Sequence, residues 1–408
     1  MQPRQQTEAA VSPPVPLAVI AREWGRIGIT GFGGPPAHIA LLRRLCVQRN
    51  AWLSEAEFED GIAATSLLPG PASTQLAIFC GRRLAGPLGA IVGGVCFIVP
   101  GLVMILGLSA LFLEHSPPAW VNGAAAGAGA SVPAIAVAAS AGLVPASWRR
   151  AGRAVRARGR WIGYLLAGGV AANLAGAYLV VVLLACGLLE WLVTRPSRAE
   201  RQAARGSPSD GASPARKPAA WLVPVAAKAL AAGGLGSLAW VAVKVGALSF
   251  GGGFVIIPLM QHDAVHTYHW MTTAQFLGAV ALGQVTPGPV VLTVGVVGYA
   301  AAGVAGCLLA VLVAFTPSFV FVMAGGRHFD AFRRSKAAQS FLGGAGPAAI
   351  GAIAGAAITL GLGLTQLWQV AVLVLAAGWL LVLRRGVVPA ILGAAAIGVV
   401  VVLAGGLP

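Results

Sequence analysis

Long apolar runs separated by short polar loops dominate the chain. Residues 84–113, 119–145, 303–325, 339–361 and 387–405 each reach or approach the roughly 20 residues that a spanning helix needs. Lipid offers no partner to free backbone groups, so such runs must be helical. Other apolar stretches are interrupted. Residues 17–42 contain Phe32-Gly33-Gly34-Pro35-Pro36 and fit either one span or a broken pair. Two more, about 61–81 and about 279–300, carry Pro-Gly-Pro in mid-segment. Helix breakers there predict re-entrant hairpins that enter and leave on one side, sheltered by protein or a cavity. Counted by length, the pattern predicts roughly ten to thirteen crossings.

The pattern occurs twice. Phe32-Gly33-Gly34 returns as Phe250-Gly251-Gly252, Trp52 as Trp270, Phe58 as Phe276, and Pro69-Gly70-Pro71 as Pro287-Gly288-Pro289, all at an offset of 218 residues. Between residues 32 and 71, thirteen of 40 positions match their counterparts, the helix breakers and bulky aromatics among them. Duplicated membrane units with broken helices are a common way to build a solute site at mid-membrane. The domains expected are a disordered tail at 1–16, a first repeat at 17–194, a basic linker at 195–220 and a second repeat at 221–408.

Composition agrees with a membrane protein: 57% of the 408 residues are hydrophobic and 10% charged, and the mean hydropathy is +0.82. Fifty-six glycines suit closely packed membrane helices. The five cysteines have no paired spacing and read as small buried hydrophobes. The formal charge of +16 sits mainly in short loops without interleaved aromatics, which points to anchors at an anionic membrane face and away from nucleic acid.

Loop charge inverts between the repeats. In the first, basic residues follow the Phe-Gly-Gly segment (Arg43, Arg44, Arg49) and the Pro-Gly-Pro segment (Arg82, Arg83), are absent at 114–118 and crowd 149–160. In the second, the matching loops carry His262, Asp263, His266 and His269 without Lys or Arg, then turn basic at 327–336 and Arg384-Arg385. By the positive-inside rule the two halves lie antiparallel, with the linker cytoplasmic and the C-terminus outside.

Candidate chemistry gathers at the breaks. Arg26 and Lys244 occupy one repeat position, six residues before the shared Phe. A cation at mid-membrane costs roughly 2.5–3.5 kcal/mol, so its repetition suggests paired use; side chains that snorkel to an interface are the alternative. The turns Phe32-Gly33-Gly34 and Phe250-Gly251-Gly252-Gly253 offer exposed N–H groups beside helix N-termini, where an anion is favoured. At Pro69-Gly70-Pro71 and Thr286-Pro287-Gly288-Pro289, a helix restarts inside the membrane. Thr74 and Thr286 supply hydroxyls there, although a plain structural kink has the same sequence signature. Trp52 and Trp270 read as interfacial anchors or gates, and Glu57, matched by Gln275, as a loop residue at a cavity mouth. His262, His266 and His269 read as an exposed polar loop, with no metal site expected.

Absent motifs narrow the class. No phosphate-binding Gly-rich loop with Lys and no metal-dependent catalytic cluster is found, and the chain has only four Lys and 12 acidic residues. Direct ATP drive, enzymatic chemistry and cation carriage lose support. Cations, N–H groups and hydroxyls together point to an anion. A scaffold without turnover has no need of the duplicated breaks.

At these motifs the chain resembles the chromate ion transporter family in its long two-domain form. The likeness rests on Gly28 to Gly34 and Gly246 to Gly252 as a repeated G-x-x-x-F-G-G, followed each time by Trp and Pro-Gly-Pro. The resemblance implies an all-α polytopic membrane protein with two homologous repeats in inverted topology and broken or re-entrant helices. It implies export of chromate across the bacterial inner membrane, with resistance to chromate and with sulfate as the chemical look-alike. The partners expected are the oxyanion, the bilayer, protons as the coupling ion and a second copy of the chain, with no cofactor. A dianion leaving a cell negative inside gains about 4.6 kcal/mol per 100 mV, at roughly 2.3 kcal/mol for each charge, so efflux needs no ATP.

Overall fold

Two helix breakers in succession let the chain reverse inside an apolar layer, and among the described residues this device is seen at Gly34-Pro35, Gly70-Pro71 and Gly288-Pro289. A computed structural model describes residues 15–66, 68, 70–114, 117–174, 178–194, 234–249, 253–325 and 335–407. The expected linker and nearly all of the expected tail lie outside these residues, as do Pro69, Phe250, Gly251 and Gly252. The first repeat comprises α1 (Leu17–Thr30), α2 (Pro35–Arg43), α3 (Glu55–Thr65), α4 (Ala72–Phe112), α5 (Ala119–Ala151), α6 (Val155–Leu174) and α7 (Leu179–Val193). The second comprises α8 (Leu235–Leu248), α9 (Ile256–Gln261), α10 (Thr273–Val285), α11 (Thr293–Gly325), α12 (Lys336–Leu362), α13 (Leu367–Ala377) and α14 (Val387–Leu403). Among the described residues there is no strand.

The repeats correspond in detail. Each second helix runs into a π-helical turn, Arg44–Arg49 and His262–Thr267. Each turn is followed by a residue in the left-handed region, Ala51 at φ 49° and His269 at φ 52°. Next comes a capping box, Ser54 with Glu57 and Thr272 with Gln275, which satisfies the first amides of α3 and α10.

The interrupted stretch at 17–42 proves to be a broken pair. Helix α1 stops at Gly31, the chain turns through Gly33 (φ 102°) and Gly34 (φ 74°), and Pro35 opens α2. Arg49, just beyond α2, lies 3.9 Å from Glu23 on α1, so α2 returns to the face where α1 began. Helix α3 and the start of α4 form the second hairpin, since a β-carbon at Gly61 would strike the Phe79 ring.

Helix α4 is itself folded. At Ala85 and Gly86 (φ 63°, ψ −153°) the backbone leaves helical geometry, and Gly81 then lies against the Gly89 carbonyl. Residues 72–84 and 87–112 are therefore antiparallel arms. The same reversal occurs at Ala302 and Gly303, bringing Gly298 onto the Gly306 carbonyl. Gly at both contacts lets the backbones touch.

Arm packing shows the inversion. Leu292 and Gly295 of the second repeat meet Gly101 and Ile105 of the first, so the arm 293–301 runs parallel to 87–112. Each first arm doubles back on its own second arm; hence the equivalent arms 87–112 and 304–325 run in opposite directions. Arg82 ties the repeats together by donating to the Val322 and Met323 carbonyls at the end of α11. The outer helices interlock: α5 packs on α13 and α14, while α12 packs on α6 and α7. Backbones touch closely at Gly127 on Ala394 and at Gly168 on Ala348.

Candidate functional site

The site is built from the hairpin tips, where helices break inside the apolar layer. At the first tip Gly70 (φ 125°) and Pro71 turn the chain, and α4 starts at Ala72 with Pro71 as its N-cap and no side-chain cap. The amides of that first turn have no intrahelical acceptor and present the positive end of the helix dipole. Around them are buried hydroxyls. Thr74 Oγ1 and Ser318 Oγ have no hydrogen-bond partner among the described residues, and both residues are 0% exposed; Ser249 Oγ, also buried and unpaired, faces the Gly253 turn beside Val290. Ser318 closes on the tip: a β-carbon at Gly70 would stand 3.1 Å from its oxygen. Burying polar groups unpaired costs about 1–3 kcal/mol each. A cluster of them beside a free helix N-terminus is a prepared cradle for an anion.

A path leads to this cradle. A cavity of about 240 Å³ reaches Gly70 and Ala72 and is walled by Thr65, Ser66, Val255 and Ile350. It adjoins a vestibule of about 1170 Å³ lined by Arg150, Arg160, Tyr164, Glu190 and Lys336. Arg150 and Ser147 border both spaces. Within the vestibule, Arg160 grips Glu190 through two bonds of 2.7 and 2.9 Å, and Tyr164 donates to the same carboxylate. Arg150 and Lys336 make no ion pair among the described residues, so the mouth carries net positive charge.

The second tip is different. Gly288 N–H donates to the Gly31 carbonyl (3.2 Å), and a β-carbon at Gly101 would strike the Pro287 carbonyl and Leu292. Thr286 bonds back to the Leu282 carbonyl and is satisfied within α10. This tip, with Pro289 leading into buried Val290, is closed.

The residues singled out from the sequence fall into several settings. Gly70, Pro71 and Thr74 lie at the polar cradle, and Gly288 lies at the closed tip against the Phe32-Gly33-Gly34 turn. Arg26 is exposed on α1 and makes no ion pair among the described residues. Lys244 is paired with Asp263 at 2.5 Å, the carboxylate being 3% exposed, and it also lies over the Trp240 ring. The stretch read as an exposed histidine loop is helical: the π turn rotates Asp263 inward to Lys244. Glu57 accepts from the Ser54 amide and hydroxyl, 3.0 Å each, and thus caps α3. Trp52 and Trp270 are half-buried, and Trp270 is anchored by its amide to the Ala264 carbonyl. Gly253 packs on Val290 and Val291. The sequence reading did not pick out Ser249, Ser318, Arg150 or His38. Ser249 adjoins a motif and Ser318 follows a mid-span proline, which is the signal that was available.

A profile of the chromate transporter family matches residues 18–191 and 236–399, one match for each repeat. The chain belongs to the chromate transporter family. It is 30% identical over 367 residues to a chromate transport protein of Cupriavidus metallidurans, covering 88% of this chain and 87% of that one. It is 29% identical over 355 residues to a probable chromate transport protein of Synechococcus elongatus, covering 86% of each. A chromate transport protein of Pseudomonas aeruginosa is 29% identical over 366 residues, covering 88% of this chain and 85% of its own. No solved structure matches the chain. The family match over both halves agrees with the internal repeat and with a multi-pass membrane protein.

Proposed function

We propose that the protein is a secondary transporter that exports chromate across the bacterial inner membrane and so confers resistance to it. The observation that supports this reading best is the cluster of buried, unpartnered hydroxyls beside the uncapped start of α4, at the end of a vestibule that opens on the basic face. Positive loops mark the cytoplasmic side, so the ion would enter from the cytoplasm past Lys336 and Arg150. Its charge is then met by the amides of α4, Thr74 and Ser318. Each hydrogen bond to a charged group contributes about 1.5–3 kcal/mol, so several are required to offset lost hydration. Arg26, uncompensated just before the glycine turn, joins the pathway there. Lys244 joins it when Asp263 releases it. Rocking of one repeat against the other alternates access, and the closed second tip forms the outer barrier.

Everted membrane vesicles test this reading. Vesicles containing the protein should accumulate labelled chromate when their interior is made positive. Ser318→Ala and Thr74→Val should each raise the half-saturating concentration about tenfold, the worth of one bond to a charged group. Accumulation no greater than in vesicles lacking the protein refutes chromate transport, and accumulation of sulfate alone reassigns the substrate.

A further inference from the structure

The deepest titratable group at the closed tip has no role in binding the oxyanion as described above. His38 on α2 is 0% exposed. Its Nε2 lies 2.8 Å from the Gly31 carbonyl oxygen, and its ring meets Phe97 edge-on with centroids 5.0 Å apart. A carbonyl oxygen only accepts, so Nε2 holds the proton and Nδ1 presents a bare lone pair. That Nδ1 has no partner among the described residues. The same Gly31 carbonyl accepts from Gly288 N–H of the opposite repeat. One oxygen thus joins the imidazole to the contact that closes the two repeats on each other. The repeat-equivalent position is Ile256, which is buried and apolar, so this arrangement exists once in the molecule.

We propose that His38 is the binding site of a coupling proton, and that its protonation at Nδ1 opens the closed tip. The inference rests on the transport reading and supplies its coupling ion. The imidazole gains a proton and one positive charge, with no other bond made or broken. In the closed tip that charge has no counter-ion, and burying it is strongly unfavourable. The surroundings confirm the lack of compensation. On α1, Arg22 and Arg26 point outward and Glu23 is engaged with Arg49. At the end of α2, Arg43 is bound to Glu55 and Glu59. On α4, Arg82 is held by the end of α11 and Arg83 lies over Phe79, leaving the thiols of Cys80 and Cys96. The π turn adds Arg44 and Cys46, and α10 and α11 contribute no charged residue, only Tyr299 and Cys307. Separation of Gly288 from Gly31 lets water and the oxyanion reach the imidazolium, which relieves the penalty. Histidine titrates in the range where membrane pH gradients operate.

Hydrogen exchange of the protein in lipid nanodiscs reads this directly. After correction for the intrinsic pH dependence, lowering the pH from about 8 to about 5, the interval over which His titrates, should speed exchange in residues 30–39 and 286–292. While proton binding limits opening, the gain is about tenfold per pH unit. His38→Gln keeps a donor for Gly31 but takes up no proton, and it should abolish the acid response. Wild-type protein with no acid-linked opening at these segments overturns the proposal without need of a variant. So does a His38→Gln protein that opens as the wild type does. If the opening is present but chromate and sulfate do not move, the transport reading fails and the proton site stands.

Discussion

At the scale of single residues, the buried ion pair shows how context divides two positions that the repeat equates. Arg26 and Lys244 share a place in the repeat, yet Lys244 is held by Asp263 whereas the position equivalent to Asp263 in the first repeat is Leu45. Removing one partner of a buried pair leaves an uncompensated charge and costs about 3–5 kcal/mol. Lys244→Ala should therefore lower the melting temperature of the solubilised protein markedly, and the double variant with Asp263→Ala should recover most of the loss. Equal melting of Lys244→Ala and wild type would show that the pair does not support the fold. The position of Lys244 was legible in the sequence because the repeat marks it. Its partner was not, because the inward rotation of Asp263 depends on a π turn, and neither periodicity nor composition signals an extra residue in a helical turn. His38 was hidden for a related reason: a lone His on an apolar segment gains meaning only when its neighbours are known.

At the scale of elements, the breakers carried most of the information. Proline and glycine at 31–36 and 69–71 announced reversals, and the structure contains both. The third reversal, at Ala85-Gly86, was read as part of an uninterrupted run from 84 to 113: the Gly86-Pro87 pair is a turn signal, but the long apolar run around it outweighed it. Its cause is visible in the backbone. Gly86 at φ 63° and ψ −153° occupies a region closed to residues with a side chain, at a cost of about 1–3 kcal/mol. No atom lies within 4 Å of a β-carbon placed there. Gly89 has ordinary backbone geometry but faces the Gly81 carbonyl. The two glycines should respond differently. Gly86→Ala should fold with a stability loss of about 1–3 kcal/mol, whereas Gly89→Val should prevent the arms from closing and give no folded protein. Size-exclusion profiles and thermal melts of the two variants measure this, and a well-folded Gly89→Val protein would mean that residues 72–84 and 87–112 are not packed as a hairpin.

At the scale of the whole molecule, a cavity reaches one tip while the other is sealed. Both tips turn through a glycine of positive φ, but Ser73 and Thr74 of the first are Val291 and Leu292 in the second, and the opposite repeat presents Ser318 toward Gly70 and Gly31 toward Gly288. An antiparallel duplicate places these tips within the apolar layer, one hairpin entering from each face, as alternating access requires. Charge fixes which face is which. The basic residues Arg150, Arg160 and Lys336 line the vestibule, while the loop at Glu114 and the π turn at His266 lie at the other end of the crossing helices. Reporter fusions at Gly152 should read cytoplasmic, and fusions at Glu114 and His266 should read external. The pair that decides is Gly152 with His266, because parallel repeats would place the loop at His266 on the same side as Arg49, its counterpart region in the first repeat. A cytoplasmic signal from His266 would contradict the inversion. It would also put both hairpin tips in reach of one compartment, removing the barrier that an exporter needs.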